Sequence, residues 1–127
     1  MAVFQTLRNL FVAPALDAPE RIVPAPYCEY AVKVMTRRDL RDVIKLNARC
    51  FRNGENYTRH TFSFLLSDAK TVAYRVATDT GEMAGFIFVM INPDGAGHIT
   101  TIGVAPEHRR RGLARMMLHH VANVLPA

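Results

Sequence analysis

Residues 103–121 read GVAPEHRRRGLARMMLHHV. Arg109, Arg110 and Arg111 run into Gly112, Leu113, Ala114 and Arg115, and an apolar helical pattern starts at once. The first turn of a helix leaves backbone N–H groups unpaired and pointing out of its end. With the helix dipole they attract an anion, by roughly 0.3–2 kcal/mol per charge. A phosphate reaches those amides only where side chains are small, as Gly112 and Ala114 are. The neighbouring arginines add long-range positive charge, so a di- or triphosphate suits the place. A plainer reading stays open, because basic runs are usually solvated faces and a glycine before a helix is common. A P-loop is excluded, since no G-x-x-x-x-G-K-[ST] is present, and so is the glycine pattern of a dinucleotide fold.

Few other residues are spaced for chemistry. His119 and His120 are adjacent on a helix and point to different sides, whereas metal ligation wants i,i+3 or i,i+4. His60 and His108 are expected at the surface, and no metal site is expected. Cys28 and Cys50 lack metal-type spacing and read as reduced core thiols of a cytoplasmic protein.

The elements that must position the arginine-glycine stretch follow from periodicity. EYAVKVM (29–35) alternates and reads as a strand. Thr36 and Asp39 have the spacing of a capping box, and Leu40, Val43, Ile44, Asn47 and Phe51 then share one helical face. RNGEN is a loop, and residues 58–67 read as a shorter helix containing Phe62, Leu65 and Leu66. Residues 70–91 are a hairpin turning at DTGE, and HITTIGVAP (98–106) is a fourth strand ended by Pro106. The helix over 112–125 buries Leu113, Met116, Met117, His120, Val121 and Val124. The order is β-α-α-β-β-β-α, a mixed α/β domain.

The chain has 127 residues, of which 50% are hydrophobic and 21% charged, enough for one globular core. Its formal net charge of +5 suits an anionic partner. Nucleic acid is disfavoured, because residues 107–118 interleave no aromatics with the basic side chains. No apolar run approaches the ~20 residues of a membrane span. Val3, Phe4, Leu7, Leu10 and Phe11 place a short amphipathic helix in residues 1–12, too short and weakly basic for a secretory signal. Pro14, Pro19, Pro24 and Pro26 make the rest of 1–26 a stiff extended linker, with the folded domain spanning 27–127.

ITTIGVAPEHRRRGLARMML resembles the acyl-CoA-binding segment of the GNAT superfamily of N-acetyltransferases. Arg109, Gly112 and Ala114 fill that family's [Q/R]-x-x-G-x-[G/A], and Ile102, Val104 and Pro106 fill the preceding L-x-V-x-P strand. The order of elements over about residues 29–125 is similar too. The resemblance implies a GNAT-like mixed sheet and acetyl-CoA as co-substrate. It implies that Ile102 and Val104 pair through their backbones with the pantetheine arm. The amides of Arg110, Arg111, Gly112, Leu113, Ala114 and Arg115 would hold the pyrophosphate. The Val104 N–H would polarise the thioester carbonyl during direct attack by an amine.

NGENYTRHTFSFLL together with the 97–114 segment is similar to the branch that acetylates protein N-termini, the ribosomal-protein alanine type included. By that similarity Glu55, Asn56 and Tyr57 border the peptide; the alternative is that Tyr57 only packs and Glu55 only faces water. At pH 7 a lysine amine (pKa ~10.4) costs about 4.6 kcal/mol to deprotonate and an α-amine (~7.7) about 1. HITTIGV holds no Asp or Glu, so the base is unidentified, with His98 and Tyr57 as weak candidates. Weak base supply points to a peptide or protein α-amine, with a small-molecule amine as the alternative.

A GNAT domain usually continues past this helix into a fifth strand, a helix and two closing strands, which this sequence does not contain. The fourth strand is then expected as an apolar sheet edge. The expectation is a piece of a longer protein, the alternatives being a homodimer paired through that edge and a non-catalytic acyl-CoA-binding module.

Overall fold

The computed structural model describes residues 21–52 and 57–125. The expected leader helix over 1–12 lies outside them. Residues 21–29 have no regular structure, as their prolines require. Strand β1 (Tyr30–Val34) leads to a 3-10 turn, Arg37–Asp39, and helix α1 (Leu40–Cys50). Helix α2 (Arg59–Ser67), strands β2 (Thr71–Thr78), β3 (Met83–Ile91) and β4 (Gly97–Val104), a 3-10 turn at Pro106–His108 and helix α3 (Leu113–Val124) complete the order. That is the β-α-α-β-β-β-α succession expected from periodicity, and all strand pairs are antiparallel, in the order β1-β2-β3-β4. Among the described residues no strand pairs with the outer edge of β4, the apolar edge expected from the sequence. No described helix is long and apolar enough to cross a membrane.

Side chains alternate between the two faces of the sheet, so β3 serves two cores. Phe86 and Phe88 join Val43, Leu46, Cys50, Phe62 and Leu65 of α1 and α2 on one face. Ile87 and Val89 join Leu113, Met117 and Val121 of α3 on the other. Of the residues expected to be buried on α3, Met116 and His120 are only half-buried, and Val124 is exposed at the frayed end. The His120 ring stands edge-on to Tyr74, with centroids 4.5 Å apart. Asn47 is buried as expected, yet neither its Nδ2 nor its Oδ1 has a hydrogen-bond partner.

Helix starts are built as the sequence indicates. Thr36 and Asp39 form the capping box, with the Thr36 N–H donating to Asp39 at 2.8 Å. Thr58 caps α2 by accepting from the Thr61 N–H at 3.2 Å.

Candidate functional site

Helix α3 starts differently. Its N-cap is Gly112 in the left-handed region (φ 77°), with no side-chain cap. The first intrahelical bond runs from Met116 N–H to Gly112 O, so the amides of Leu113, Ala114 and Arg115 have no partner within the helix. Arg110 also has positive φ (65°), and such turns aim successive N–H groups into anion-binding concavities. These groups face an open cavity of about 620 Å³ lined by Val104, Arg109, Arg110, Gly112, Leu113, Ala114 and Arg115. A Cβ added at Gly112 would meet no protein atom within 4 Å, so protein packing does not explain the small residue there. Its left-handed backbone requires glycine, and the missing side chain leaves the amides open, so the residues fit a diphosphate.

The edge of β4 beside this cavity has a fixed polarity. The Ala105 N–H donates to Ala84 O at 2.8 Å, which turns Ala105 and Gly103 toward β3. In an antiparallel ladder the intervening residues Ile102 and Val104 turn their N–H and C=O outward. The Val104 carbonyl is taken, accepting from Arg109 Nε at 3.1 Å and Cys50 Sγ at 3.4 Å. Burial pushes the Cys50 thiol up, so it remains a donor. The outward Val104 N–H therefore lies at the open edge next to the helix amides. Ile102 does not line the cavity; its side chain packs on the α3 core.

The other expected site residues lie elsewhere. His98 is exposed, six residues from Val104 on the same strand, about 20 Å at roughly 3.3 Å per residue. One thioester cannot touch both. Tyr57 packs on Phe62 and donates to Thr100 O at 3.2 Å, where β4 carries an extra residue opposite Phe88. Glu55 and Asn56 lie outside the described residues.

One residue departs from expectation, and the side chain of another has a place that the sequence does not indicate. Arg111 does not line the cavity. Its guanidinium turns the other way and donates to Ala25 O, to Pro26 O at 3.3 Å and to Tyr30 Oη at 2.7 Å. His108, expected at the surface, is 1% exposed. Its Nδ1 is 2.8 Å from Tyr30 Oη and its Nε2 is 2.9 Å from Glu82 Oε1. Arginine only donates, so the Tyr30 oxygen accepts from Arg111, and both His108 nitrogens are engaged, one by the Tyr30 phenol and the other by Glu82. Burial and the Cys28 thiol raise the Tyr30 phenol, outweighing the pull of Arg111. These partners lie 78 and 26 residues from His108, and no local pattern announces them.

No metal site is expected from the sequence, but Glu82, Glu107 and His108 each bring a ligand atom within 4.8 Å of the others. Arg49 already holds the Glu107 carboxylate through both terminal nitrogens, at 2.7 and 3.2 Å, which keeps that carboxyl below its ordinary range. With both His108 nitrogens also engaged, the group is a closed network.

Solved structures share the fold. An aminoglycoside antibiotic 6'-N-acetyltransferase from Acinetobacter baumannii is 19% identical, with a TM-score of 0.64 over 76% of this chain and 71% of that one. A ribosomal-protein-alanine N-acetyltransferase from Brucella melitensis biovar Abortus 2308 is 22% identical, with a TM-score of 0.62 over 75% and 70%. Spermidine N-acetyltransferase from Vibrio cholerae, in complex with CoA and spermine, is 21% identical, with a TM-score of 0.59 over 74% and 62%. No curated protein sequence matches. Residues 40–127, which carry both the open helix start and the edge of β4, match the acetyltransferase (GNAT) family. The chain therefore belongs to the GNAT family, as an N-acetyltransferase with acetyl-CoA as co-substrate.

Proposed function

We propose that this chain transfers the acetyl group of acetyl-CoA to the α-amine of a peptide or protein. The carrying observation is the outward Val104 N–H beside a cavity lined by uncapped helix amides. The diphosphate sits on the amides of residues 110–115, with Arg109, Arg110 and Arg115 at the rim. The pantetheine arm runs along the outer edge of β4 and brings the thioester carbonyl to Val104. A neutral amine attacks the carbonyl carbon, and negative charge grows on the oxygen facing the Val104 N–H. That amide, fixed by the strand, stabilises the charge without rearranging. Collapse breaks the C–S bond, leaving an N-acetylated product and the coenzyme thiol; the amine's proton passes through solvent to the thiolate.

Charge around the site favours an α-amine over a polyamine. A polycationic acceptor is held best by free carboxylates; among the described residues the cavity lining holds no acid, and Glu107 beside it is paired with Arg49. An α-amine also needs little help, since about one in six is already neutral at pH 7 for a pKa of ~7.7.

The test is thiol release from acetyl-CoA with an Ala-starting peptide, the same peptide N-terminally blocked but bearing an internal Lys, and spermidine. The free α-amine is expected to give the highest kcat/KM. Preference for spermidine would overturn the acceptor assignment. Binding of acetyl-CoA without turnover of any amine would replace the enzyme reading by that of a binding module.

A further inference from the structure

The side chain of Arg111 and the segment Ala25–Tyr30 are left without a role by the proposed chemistry. Residues 21–29 make no helix or strand, and much of their surface is open, with Val23 73% and Tyr27 92% exposed. Yet the segment is fastened, at its end to the β2–β3 turn, where Glu29 O accepts from the Asp79 N–H at 3.1 Å, and in its middle to the turn that precedes α3. The Ala25 N–H donates to Glu107 O at 2.9 Å. The carbonyls of Ala25 and Pro26 both accept from the Arg111 guanidinium. Tyr30 closes the set by bonding both Arg111 and His108. Residues 107, 108 and 111 are thus pinned from the strap side, and Arg109 is tied to Val104 O from the other. Between these anchors sit the positive-φ residues Arg110 and Gly112, which set where the backbone amides point. Backbone at positive φ is costly for arginine and persists where its surroundings over-determine it.

We infer that the Ala25–Tyr30 strap, clamped by the Arg111 guanidinium, holds the 109–112 turn in the conformation that receives the coenzyme diphosphate. Arg111 is in this account a positioning residue, whose side chain acts on the ligand only through the turn. The inference rests on the acetyl-CoA site proposed above. Coupling is reciprocal: a strap that favours the binding conformation is itself held more firmly when ligand is bound.

Acetyl-CoA affinity is measured by calorimetry at two salt concentrations for wild type, Arg111→Ala, Arg111→Lys, Ala25→Pro and Ala114→Glu, with a thermal melt of each to establish folding. Arg111→Ala is expected to weaken binding about tenfold. Arg111→Lys is expected not to restore it, because an ammonium cannot bridge two carbonyls and a phenol as the planar fork does. Ala25→Pro deletes the N–H given to Glu107 O, far from the ligand, and is expected to weaken binding several-fold. In Arg111→Lys and Ala25→Pro, which keep the net charge, the salt dependence should match wild type, and in Arg111→Ala it should fall only slightly, since the guanidinium does not line the cavity.

Limited chymotrypsin digestion of wild type needs no variant. Acetyl-CoA should slow cleavage after the exposed Tyr27. Full rescue by lysine, or a loss of salt dependence in Arg111→Ala, would overturn the inference in favour of a direct phosphate contact. Unchanged affinity in both Arg111→Ala and Ala25→Pro, or cleavage after Tyr27 indifferent to ligand, would also overturn it. Ala114→Glu separates the two levels: if it binds as wild type does, the cavity assignment falls and the strap inference falls with it. If it alone loses binding, the cavity stands and only the strap inference fails.

Discussion

Helices α2 and α3 begin in opposite ways. Thr58 spends its hydroxyl on the first turn of α2, and the Thr36–Asp39 box does the same for the turn that leads into α1. Gly112 offers α3 nothing, and the residues after it leave their amides facing open space. The first arrangement is what a stable fold asks of a helix end. The second leaves donors available to something that is not part of the chain. Function here is legible as a place where the protein declines to satisfy itself.

The contrast can be broken experimentally. The largest effect is expected from Ala114→Glu, which puts a carboxylate where the diphosphate would lie. Like-charge juxtaposition costs several kcal/mol, so acetyl-CoA affinity should fall by about 100-fold or more, and the ligand-induced rise in Tm should vanish. The unliganded protein should melt no lower than wild type, because an acid in the first turn suits the helix dipole. Next, Gly112→Ala forces a Cβ into left-handed backbone and should cost about 1–2 kcal/mol in denaturant unfolding, although no protein atom crowds the new methyl.

At the capped end, Thr58→Ala should cost about 1 kcal/mol of stability and leave acetyl-CoA affinity unchanged. A matched loss of affinity would mean that the two helix starts are not independent. The smallest effect concerns Glu107, whose carboxyl Arg49 lowers in the folded state. A depressed folded value stabilises fully above the unfolded value, about 4.3, and the contribution fades as pH falls through the folded one. Because the pair is partly exposed, Glu107→Gln should cost only about 0.2–1 kcal/mol at pH 7 and nothing once wild-type Glu107 is protonated. Urea titrations at both pH values check the sign.

How much of this the sequence discloses depends on range. The β2–β3 hairpin, the capping box and the start of α3 are written in neighbouring residues, so alternation, T-x-x-D and R-x-x-G-x-A sufficed. The burial of His108 and the strap contacts of the Arg111 side chain are not legible there, because their partners Glu82, Tyr30, Ala25 and Pro26 are distant in the chain. A basic run looks uniform in sequence, yet the structure divides it. Arg109 closes the Val104 carbonyl, Arg110 rims the cavity, and Arg111 ties down the strap. Only the backbone turn between them, invisible to composition, decides which way each points. Val124 follows the helical period but is exposed, while Leu125 just past the helix packs on the core. For Asn47 neither level supplies an explanation of its two unpartnered polar atoms.

The two apolar clusters lie on opposite sides of the sheet, and at Gly85 of β3 and Gly103 of β4 side chains from each side rest close to the backbone. A methyl on Gly103 would strike the Phe86 ring at 2.7 Å and the Cys50 sulfur at 3.1 Å. One on Gly85 would press the Met117 side chain at 3.1 Å and the Gly103 carbonyl at 3.2 Å. Side chains rooted in α1 and α3 rest almost directly on the peptide units there, with no intervening layer to cushion them. A side chain at either position would therefore press on a helix packed beside Val104, through Cys50 of α1 or Met117 of α3.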